Sequence, residues 1–524
     1  MEIQLEKKVK MSKKVKKDNK STFTPEQLKF IKHRGPESVI LTATAGSGKT
    51  ASATGRLVWL LNQGIKPQKI IFFSFTNDAV NELKARINND KVEITTIHSF
   101  CLSVLARSGK YKNIADFHDF IKWFKRKHKP KSNAKWEEIT RFNRMVENLE
   151  EDPGYYASQI SKYKILQAEN TKSRVPDFFI AYCKFLKSTN SRDFVDMLIE
   201  VHKMKDYKYW ENNYQHKYDY VFVDEYQDTS SMQMRILLAL KAKMYHLIGD
   251  RNQSIYGFTG SNCDMIEKLL KVAKPTVEYS LSVNFRSDVD IVEHSNNFSG
   301  LKAVPNSKSS GKVDQRILTE NEVYEMMKEK DVVLLARTND VIREMELKFL
   351  TKKIPMRYFN LFTEDELDII KKKKAVTPQL NKKLKRILPK VGRADDMIKF
   401  IEANQNSNTF ITSIHKSKGR EFPTVIVVNS ISPYVLEKNG IELDPKELKR
   451  ISFDPGDPDD IESLNVHYVA VTRPKNELYF MIYDSDNLNY ILAPSSLKFT
   501  LGAGADPSTG YIENSTFQAI DLTR

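Results

Sequence analysis

Val39-Ile-Leu-Thr-Ala-Thr-Ala-Gly-Ser-Gly-Lys-Thr50 is an apolar, β-branched run that passes through small residues into Gly-Lys-Thr. A run of this length is strand-sized, and the stretch after Lys49 has amphipathic helical spacing, so the segment reads as strand, loop, helix. Small residues let successive backbone N–H groups turn toward phosphate oxygens, and the following helix directs its N-terminus at the anion. Lys49 is then placed for the β- and γ-phosphates of ATP and Thr50 for Mg2+, with Ala45, Gly46, Ser47, Gly48 and Ala51 completing the cradle. Ala43 stands where such P-loops usually carry Gly, while Gly46 and Gly48 leave the loop free to turn. A P-loop opening on a strand predicts an α/β fold built on parallel sheets.

The same alternation of short apolar runs with helix-length amphipathic stretches recurs along the chain. Strands are expected at 39–42, 69–75, 92–97, 220–224 and 245–249, and in a second group at 332–336, 424–429 and 478–482. Two α/β units with parallel sheets follow, the first from 21–100 and 211–275, the second from 276–366 and 408–490. Residues 101–210 lack comparable strand runs and read as a helical, basic insertion domain. Within it Phe117, Phe120, Ile121 and Phe124 have the spacing of a buried helix face, with Lys122, Lys125, Arg126, Lys127 and Lys129 largely elsewhere. Residues 367–407 form a much smaller, Lys-rich insertion in the second domain. Residues 1–20, with eight Lys, read as a basic flexible tail, and 491–524 as a C-terminal tail.

The 524 residues carry 83 Lys+Arg against 67 Asp+Glu, a net charge of +16, so a polyanionic partner is expected and nucleic acid is the first candidate. A hydrophobic content of 40% suffices for several cores and excludes a disordered chain. No apolar run approaches the ~18–20 residues of a membrane helix. The N-terminal stretch has no apolar region of a secretory signal, so the cytoplasm of a bacterial or phage-infected cell is the expected location. Cys101, Cys183 and Cys263 are far apart with no CxxC pair. They read as free thiols in cores, with no zinc or iron–sulfur site.

Tyr220-Val-Phe-Val-Asp-Glu-Tyr-Gln-Asp228 is an apolar run that ends in acids. It sets Asp224 and Glu225 at the carboxyl end of a buried strand, the edge at which α/β sheets collect ligands. Asp224 suits the Mg2+ held by Thr50, and Glu225 suits orienting or deprotonating an attacking water. The alternative, an exposed acidic turn, sits poorly with a P-loop in the same unit.

From residue 24 to about 482 these segments resemble the UvrD/Rep-like branch of superfamily 1 DNA helicases, which implies that the two α/β units are RecA-like P-loop domains with parallel sheets, accompanied by a helical insertion domain. Phe23-Thr-Pro-Glu-Gln27 is similar to the family's Q motif, which implies Gln27 on adenine. Phe75-Thr-Asn-Asp-Ala79 and Thr96-Ile-His-Ser-Phe100 resemble its early DNA-contacting motifs, implying Phe75, Thr76, Asn77 and His98 on DNA. Asp224 to Asp228 resembles the DExQD box. Gly249-Asp-Arg-Asn-Gln-Ser-Ile-Tyr-Gly-Phe258 resembles GDxxQSIY, which makes Gln253 a γ-phosphate sensor and Tyr256 and Phe258 base-stacking candidates, a buried aromatic pair being the alternative. Asn284-Phe-Arg-Ser287 resembles NYRS, with Arg286 on the γ-phosphate. Thr412-Ser-Ile-His-Lys-Ser-Lys-Gly-Arg-Glu-Phe422 resembles TLHxxKGLEF, implying Glu421 on the ribose, Gly419 close to the nucleotide, and Ser413 and His415 on DNA. Tyr468-Val-Ala-Val-Thr-Arg473 resembles YVAxTR, with Arg473 the arginine finger. Phe258, Thr259 and Arg420 depart from the usual Trp, Arg and Leu.

The resemblance implies an ATP- and Mg2+-dependent helicase moving 3'→5' on single-stranded DNA, acting at duplex junctions, with replication or recombination accessory roles. Relatives carry a large insertion where this chain has about forty-five residues between 367 and Thr412, so the outer regulatory domain is expected to be stunted. That keeps in view a translocase that strips bound proteins without opening duplex; a non-motor ATP-gated DNA-binding protein is a further alternative, disfavoured because Glu225, Gln253, Arg286 and Arg473 are all present. A helicase–nuclease is disfavoured, since the residues after the last motif show no nuclease carboxylate cluster.

Overall fold

The computed structural model describes residues 23–483, apart from 111, 152, 169–174, 256–262, 375, 377, 432–438 and 440–457, together with 489–490. Six strands, β1 (Ser38–Ala43), β2 (Ile70–Ser74), β3 (Glu93–Thr96), β4 (Tyr220–Asp224), β5 (Met244–Gly249) and β6 (Thr276–Leu281), form one parallel sheet in the order β3-β2-β4-β5-β1-β6. Alternate residues serve opposite faces, and both faces are apolar. Ile40, Ile71, Phe73, Val221, Val223 and Leu247 line one core, and Val39, Leu41, Ile70, Phe72, Phe222 and Ile248 the other. The order matters for function, because β5 lies between β1 and β4 and their carboxyl ends stand side by side.

The second sheet contains β7 (Lys312–Leu318), β8 (Val333–Ala336), β9 (Phe410–Ser413), β10 (Phe422–Val428) and β11 (Pro474–Met481), all parallel, in the order β9-β8-β10-β11-β7. It too is covered on both faces. These are the two parallel α/β sheets that the sequence predicts, and eight of the strands fall where periodicity sets them, within a few residues. The three it misses, β6, β7 and β9, are all edge strands. β6 and β7 mix exposed polar with buried residues and β9 is only four residues long, so none shows an apolar run of its own.

Between β3 and β4, helices Phe117–His128, Trp136–Glu151, Pro153–Ala168 and Asp177–Ser188 surround a core of their own. Phe120, Ile121 and Phe124 are buried in it and Phe117 packs against it, as their spacing predicts. The flanking helices Ile97–Arg107 and Phe194–Met204 instead pack under the first sheet through Cys101, Val104, Leu105, Met197 and Val201. A short neck joins the two bodies, where Ala115 N–H donates to Arg192 O (2.7 Å) and Arg192 N–H to Asn113 O (3.0 Å).

The stretch expected as a second insertion, residues 367–407, lies in helices Glu364–Lys371, whose first residues precede it, Pro378–Val391 and Ala394–Ala403. Ile370, Leu380, Leu384, Ile387, Met397, Ile398 and Ile401 bury it in the core of the second sheet, so it covers that sheet. The three thiols are free; Cys101 is buried, while Cys183 and Cys263 are only partly so. Among the described residues no helix is long and apolar enough to cross a membrane.

Candidate active site

The P-loop leaves β1 and enters helix Lys49–Asn62 through two left-handed glycines, Gly46 (φ 72°) and Gly48 (φ 77°). A Cβ on Gly46 would lie 2.8 Å from Asn284 Oδ1 and from Arg286 Cβ, and one on Gly48 would lie 2.9 Å from Gln27 Nε2. Both positions therefore need glycine for backbone conformation and for space. Ser47 is buried and its hydroxyl donates to Thr44 O (2.7 Å), which stiffens the turn. Lys49, Thr50 and Ala51 form the partly exposed first turn of the helix, whose free N–H groups suit a phosphate.

Asp224 ends β4 and Glu225 follows it in the left-handed region (φ 52°), a strained conformation that costs a non-glycine residue about 1–3 kcal/mol. Burial, with Glu225 beside it, pushes Asp224 up to about 7. Glu225 is half-buried, and Lys49, Lys418, a hydrogen bond from Gln227 and Arg473 outweigh its desolvation and hold its carboxyl below the ordinary value. A buried carboxylate that ionises reluctantly until a cation joins it fits Mg2+, with Thr50 as second ligand and the nucleotide completing the shell. Among the described residues no group of three or more His, Cys, Asp or Glu is placed to hold a metal ion without such help.

From the end of β5, Asp250 N–H donates to Gln227 Oε1 (3.1 Å), and Gln253 Nε2 donates to Asp250 Oδ2 (2.8 Å). Gln227 in turn donates to Glu225. Strands of one sheet lie about 4.8 Å apart, so the loop after β5 sits between the P-loop and the acids of β4.

The second sheet meets this edge with the opposite ends of its strands, since Glu421 precedes β10 and Arg473 precedes β11. Arg473 is fully buried, and its guanidinium donates to Val469 O (2.9 Å), Arg420 O (3.1 Å), Thr472 Oγ1 (3.0 Å) and Gln253 Oε1 (3.4 Å). Burial, and Arg286 nearby, lower its proton affinity. Arg286 pairs with Glu421 (3.0 Å) and donates to Thr472 O (3.1 Å); Lys475 holds the other oxygen of Glu421 (2.6 Å). Thus the two residues expected on phosphate and ribose, Arg286 and Glu421, are paired with each other. Gln27 likewise accepts from Thr24 N–H (2.9 Å) and donates to Ser47 O (3.1 Å), leaving one donor and one acceptor site for a ligand. Gly419 (φ 79°) has open space around its Cβ position.

Several joining residues escape sequence reasoning. Lys418 Nζ donates to Asp228 Oδ2 (2.5 Å) and Gln253 O (2.6 Å), and burial pushes Asp228 up to about 6. Asn284 Nδ2 donates to Ala45 O (2.9 Å), Phe285 N–H donates to Gly46 O (2.9 Å), and the Tyr468 hydroxyl accepts from Ala45 N–H (3.4 Å). Lys418, Asp228, Asn284, Phe285 and Tyr468 lie in stretches quoted for other residues; only tertiary packing reveals these contacts.

The residues expected on DNA lie at strand ends. Phe75 is 43% exposed, and Thr76 caps helix Asn77–Ile87 by accepting from Ala79 N–H (3.2 Å), with Asn77 exposed beside it. His98 packs edge-on against Phe194 (5.5 Å), and burial lowers its pKa. Ser413 is buried and spends its oxygen capping Lys416 N–H (3.2 Å); His415 is half-buried with its pKa lowered by desolvation. Tyr256 and Phe258 lie outside the described residues.

Residues 23–274 match the family model of the UvrD/REP helicase N-terminal domain, and residues 365–485 that of the UvrD-like helicase C-terminal domain. A probable DNA helicase II homolog of Mycoplasma capricolum subsp. capricolum is 26% identical over 516 residues, covering 86% of this chain and 70% of its own length. A probable DNA helicase II homolog of Mycoplasma pneumoniae is 30% identical over 295 residues, covering 50% and 40%. The ATP-dependent DNA helicase PcrA of Staphylococcus epidermidis is 27% identical over 357 residues, covering 60% and 48%; this chain thus spans under half of the latter two relatives. The chain belongs to the UvrD-like DNA helicase family.

Proposed function

We propose that this protein is an ATP-dependent DNA helicase that moves 3'→5' along single-stranded DNA and separates strands at duplex junctions. One observation carries the reading: a hydrogen-bonded chain runs from Glu225 through Gln227, Asp250 and Gln253 to Arg473, crossing from the first α/β unit to the second. Residues that clamp and hydrolyse ATP are therefore divided between two bodies. Phosphoryl transfer depends on positioning and on charge stabilisation more than on covalent help. Lys49 and the P-loop amides would hold the phosphates, and Glu225 would orient water. Arg286 and Arg473 would place positive charge on the transferring group from across the cleft. Thr50 and Asp224 would hold Mg2+, which supplies charge neutralisation when bound. Arg286 would exchange Glu421 for the γ-phosphate, and Glu421 would turn to the ribose.

Phe75, Thr76, Asn77 and His98 on one unit, and Ser413 and His415 on the other, give grips whose separation changes as the cleft opens. That is what stepping along a strand requires. The PcrA and helicase II names of the relatives favour replication or repair as the setting. The test is strand displacement from duplexes bearing 3' or 5' single-stranded tails, with Lys49→Ala as control. Displacement from 3' tails only, absent in the control, supports the reading; displacement from 5' tails only refutes the polarity.

A second reading, single-strand translocation that removes bound proteins without opening duplex, is favoured by the second insertion, whose three helices are buried in the second unit's core. Fast translocation with no displacement from either tail would select it.

A further inference from the structure

The chain passes from the first α/β unit to the second at Ser282. β6 ends at Leu281, whose carbonyl accepts from Thr44 N–H (3.0 Å), and the next two residues, Val283–Asn284, already pair with Val304–Pro305 of the second unit. On that side Ser282 O accepts from Val304 N–H (2.8 Å). On the other side its N–H donates to Glu26 Oε2 (2.9 Å) and its hydroxyl to Glu26 Oε1 (2.8 Å). An acid in the first turn of a helix is favoured by the helix dipole and needs no partner. Glu26 is half-buried and forms no ion pair among the described residues, yet both of its oxygens go to this one crossing residue.

Helix Pro25–Ile31, which carries Glu26, is fastened to the P-loop segment at both ends. Gln27 donates to Ser47 O (3.1 Å), and Arg56 of helix Lys49–Asn62 donates to Ile31 O (3.1 Å) and His33 O (2.5 Å). Two residues beyond Ser282, Asn284 Oδ1 accepts from Arg286 N–H (2.8 Å) and Ser287 N–H (3.0 Å), while its amide donates to Ala45 O (2.9 Å). Resting on the helicase reading, we infer that Glu26 is a positioning residue: it holds the crossing strand in register with the P-loop and so sets the reach of Arg286 toward the transferring phosphate. Two acceptors meeting an N–H and an O–H of one residue fix the strand's rotation as well as its distance, which a single bond does not. Glu26 and Gln27 are neighbours on one turn, so the helix that would meet adenine also fixes the point from which the second unit's arginine extends. Such placement matters because a misplacement of about 1 Å can cost about 10²-fold in rate.

The test is steady-state ATPase of the full chain on single-stranded DNA, with hydrogen exchange of residues 282–286 measured alongside. Glu26→Ala loses both bonds. Its kcat should fall by about tenfold or more while KM for ATP stays within about twofold, since Lys49 and Gln27 are unaltered. Glu26→Gln keeps both bonds once the Ser282 hydroxyl turns to accept from the amide, so its kcat and its exchange should match the wild type. Ser282→Ala removes one bond and should lose part of the rate, and adding it to Glu26→Ala should cost nothing more. A Gln variant as slow as the Ala variant would overturn the proposal in favour of a charge effect. Unchanged kcat in Glu26→Ala, with or without a raised KM, would overturn it too, as would additive losses in the double variant. A wild type without DNA-stimulated ATPase would remove the helicase reading separately. The exchange then decides: faster exchange at 282–286 in Glu26→Ala but not in Glu26→Gln supports the link, and unchanged exchange overturns it.

Discussion

At the scale of single residues, the nucleotide site depends on contacts too close for substitution. Gly46→Ala would add a Cβ 2.8 Å from Asn284 and Arg286 and force a left-handed backbone costing about 1–2 kcal/mol. ATP affinity should fall about tenfold or more, as read by nucleotide titration, and an unaltered affinity would refute the close packing. Arg473→Lys keeps charge but loses the fork that reaches Val469, Arg420, Thr472 and Gln253 together. Its kcat for ATP should drop by about 10³-fold or more, with KM changing far less, if the guanidinium acts as the finger. Of the residues proposed to carry the chemistry, Lys49, Asp224 and Glu225 were legible in the local strand-and-loop pattern, and Gln253 and Arg473 only through the family resemblance. Their partners were not. Asp228, Lys418 and Tyr468 are ordinary charged or aromatic letters until folding brings residues 190 to 423 positions apart into contact.

At the scale of elements, one buried ion pair spans the joint between the sheets. Lys418 and Asp228 are both largely out of solvent, so removing one partner strands the other. Lys418→Met or Asp228→Asn alone should each destabilise the protein by about 3–5 kcal/mol, whereas the double variant should recover part of that loss. Additive losses in chemical denaturation would contradict the pairing. Within the second unit, Glu346 receives N–H groups of Asn360 (3.0 Å) and Leu361 (2.9 Å) and the Asn360 amide (2.7 Å), fixing the loop after helix Asn339–Thr351. Burial pushes it up to about 7. The unfolded chain loses this proton near 4.5, so the stability tied to it is full below that pH and lost as pH rises through about 7. Glu346→Gln stays neutral throughout. Its melting temperature should gain on the wild type by a few degrees between pH 5 and pH 8, and a constant difference would reject the assignment. Periodicity found the central strands because they are buried on both faces; β6 and β7 escaped it because these edges keep exposed polar residues, and β9 because it is only four residues long.

At the scale of the whole molecule, the P-loop and acids belong to one sheet and the arginines to the other, with Lys418, Asn284 and Tyr468 spanning the seam. Sequence alone indicated this division through the resemblance; the side-chain network that crosses it is a property of the fold. Under the proposed function, DNA engagement and ATP hydrolysis are coupled through this shared site. ATPase assay with and without single-stranded DNA tests it most directly, on the wild type, Lys49→Ala and Lys418→Met. Strong DNA stimulation is expected in the wild type, no turnover in Lys49→Ala, and turnover with most stimulation lost in Lys418→Met. Wild-type hydrolysis that is the same with and without DNA would contradict it.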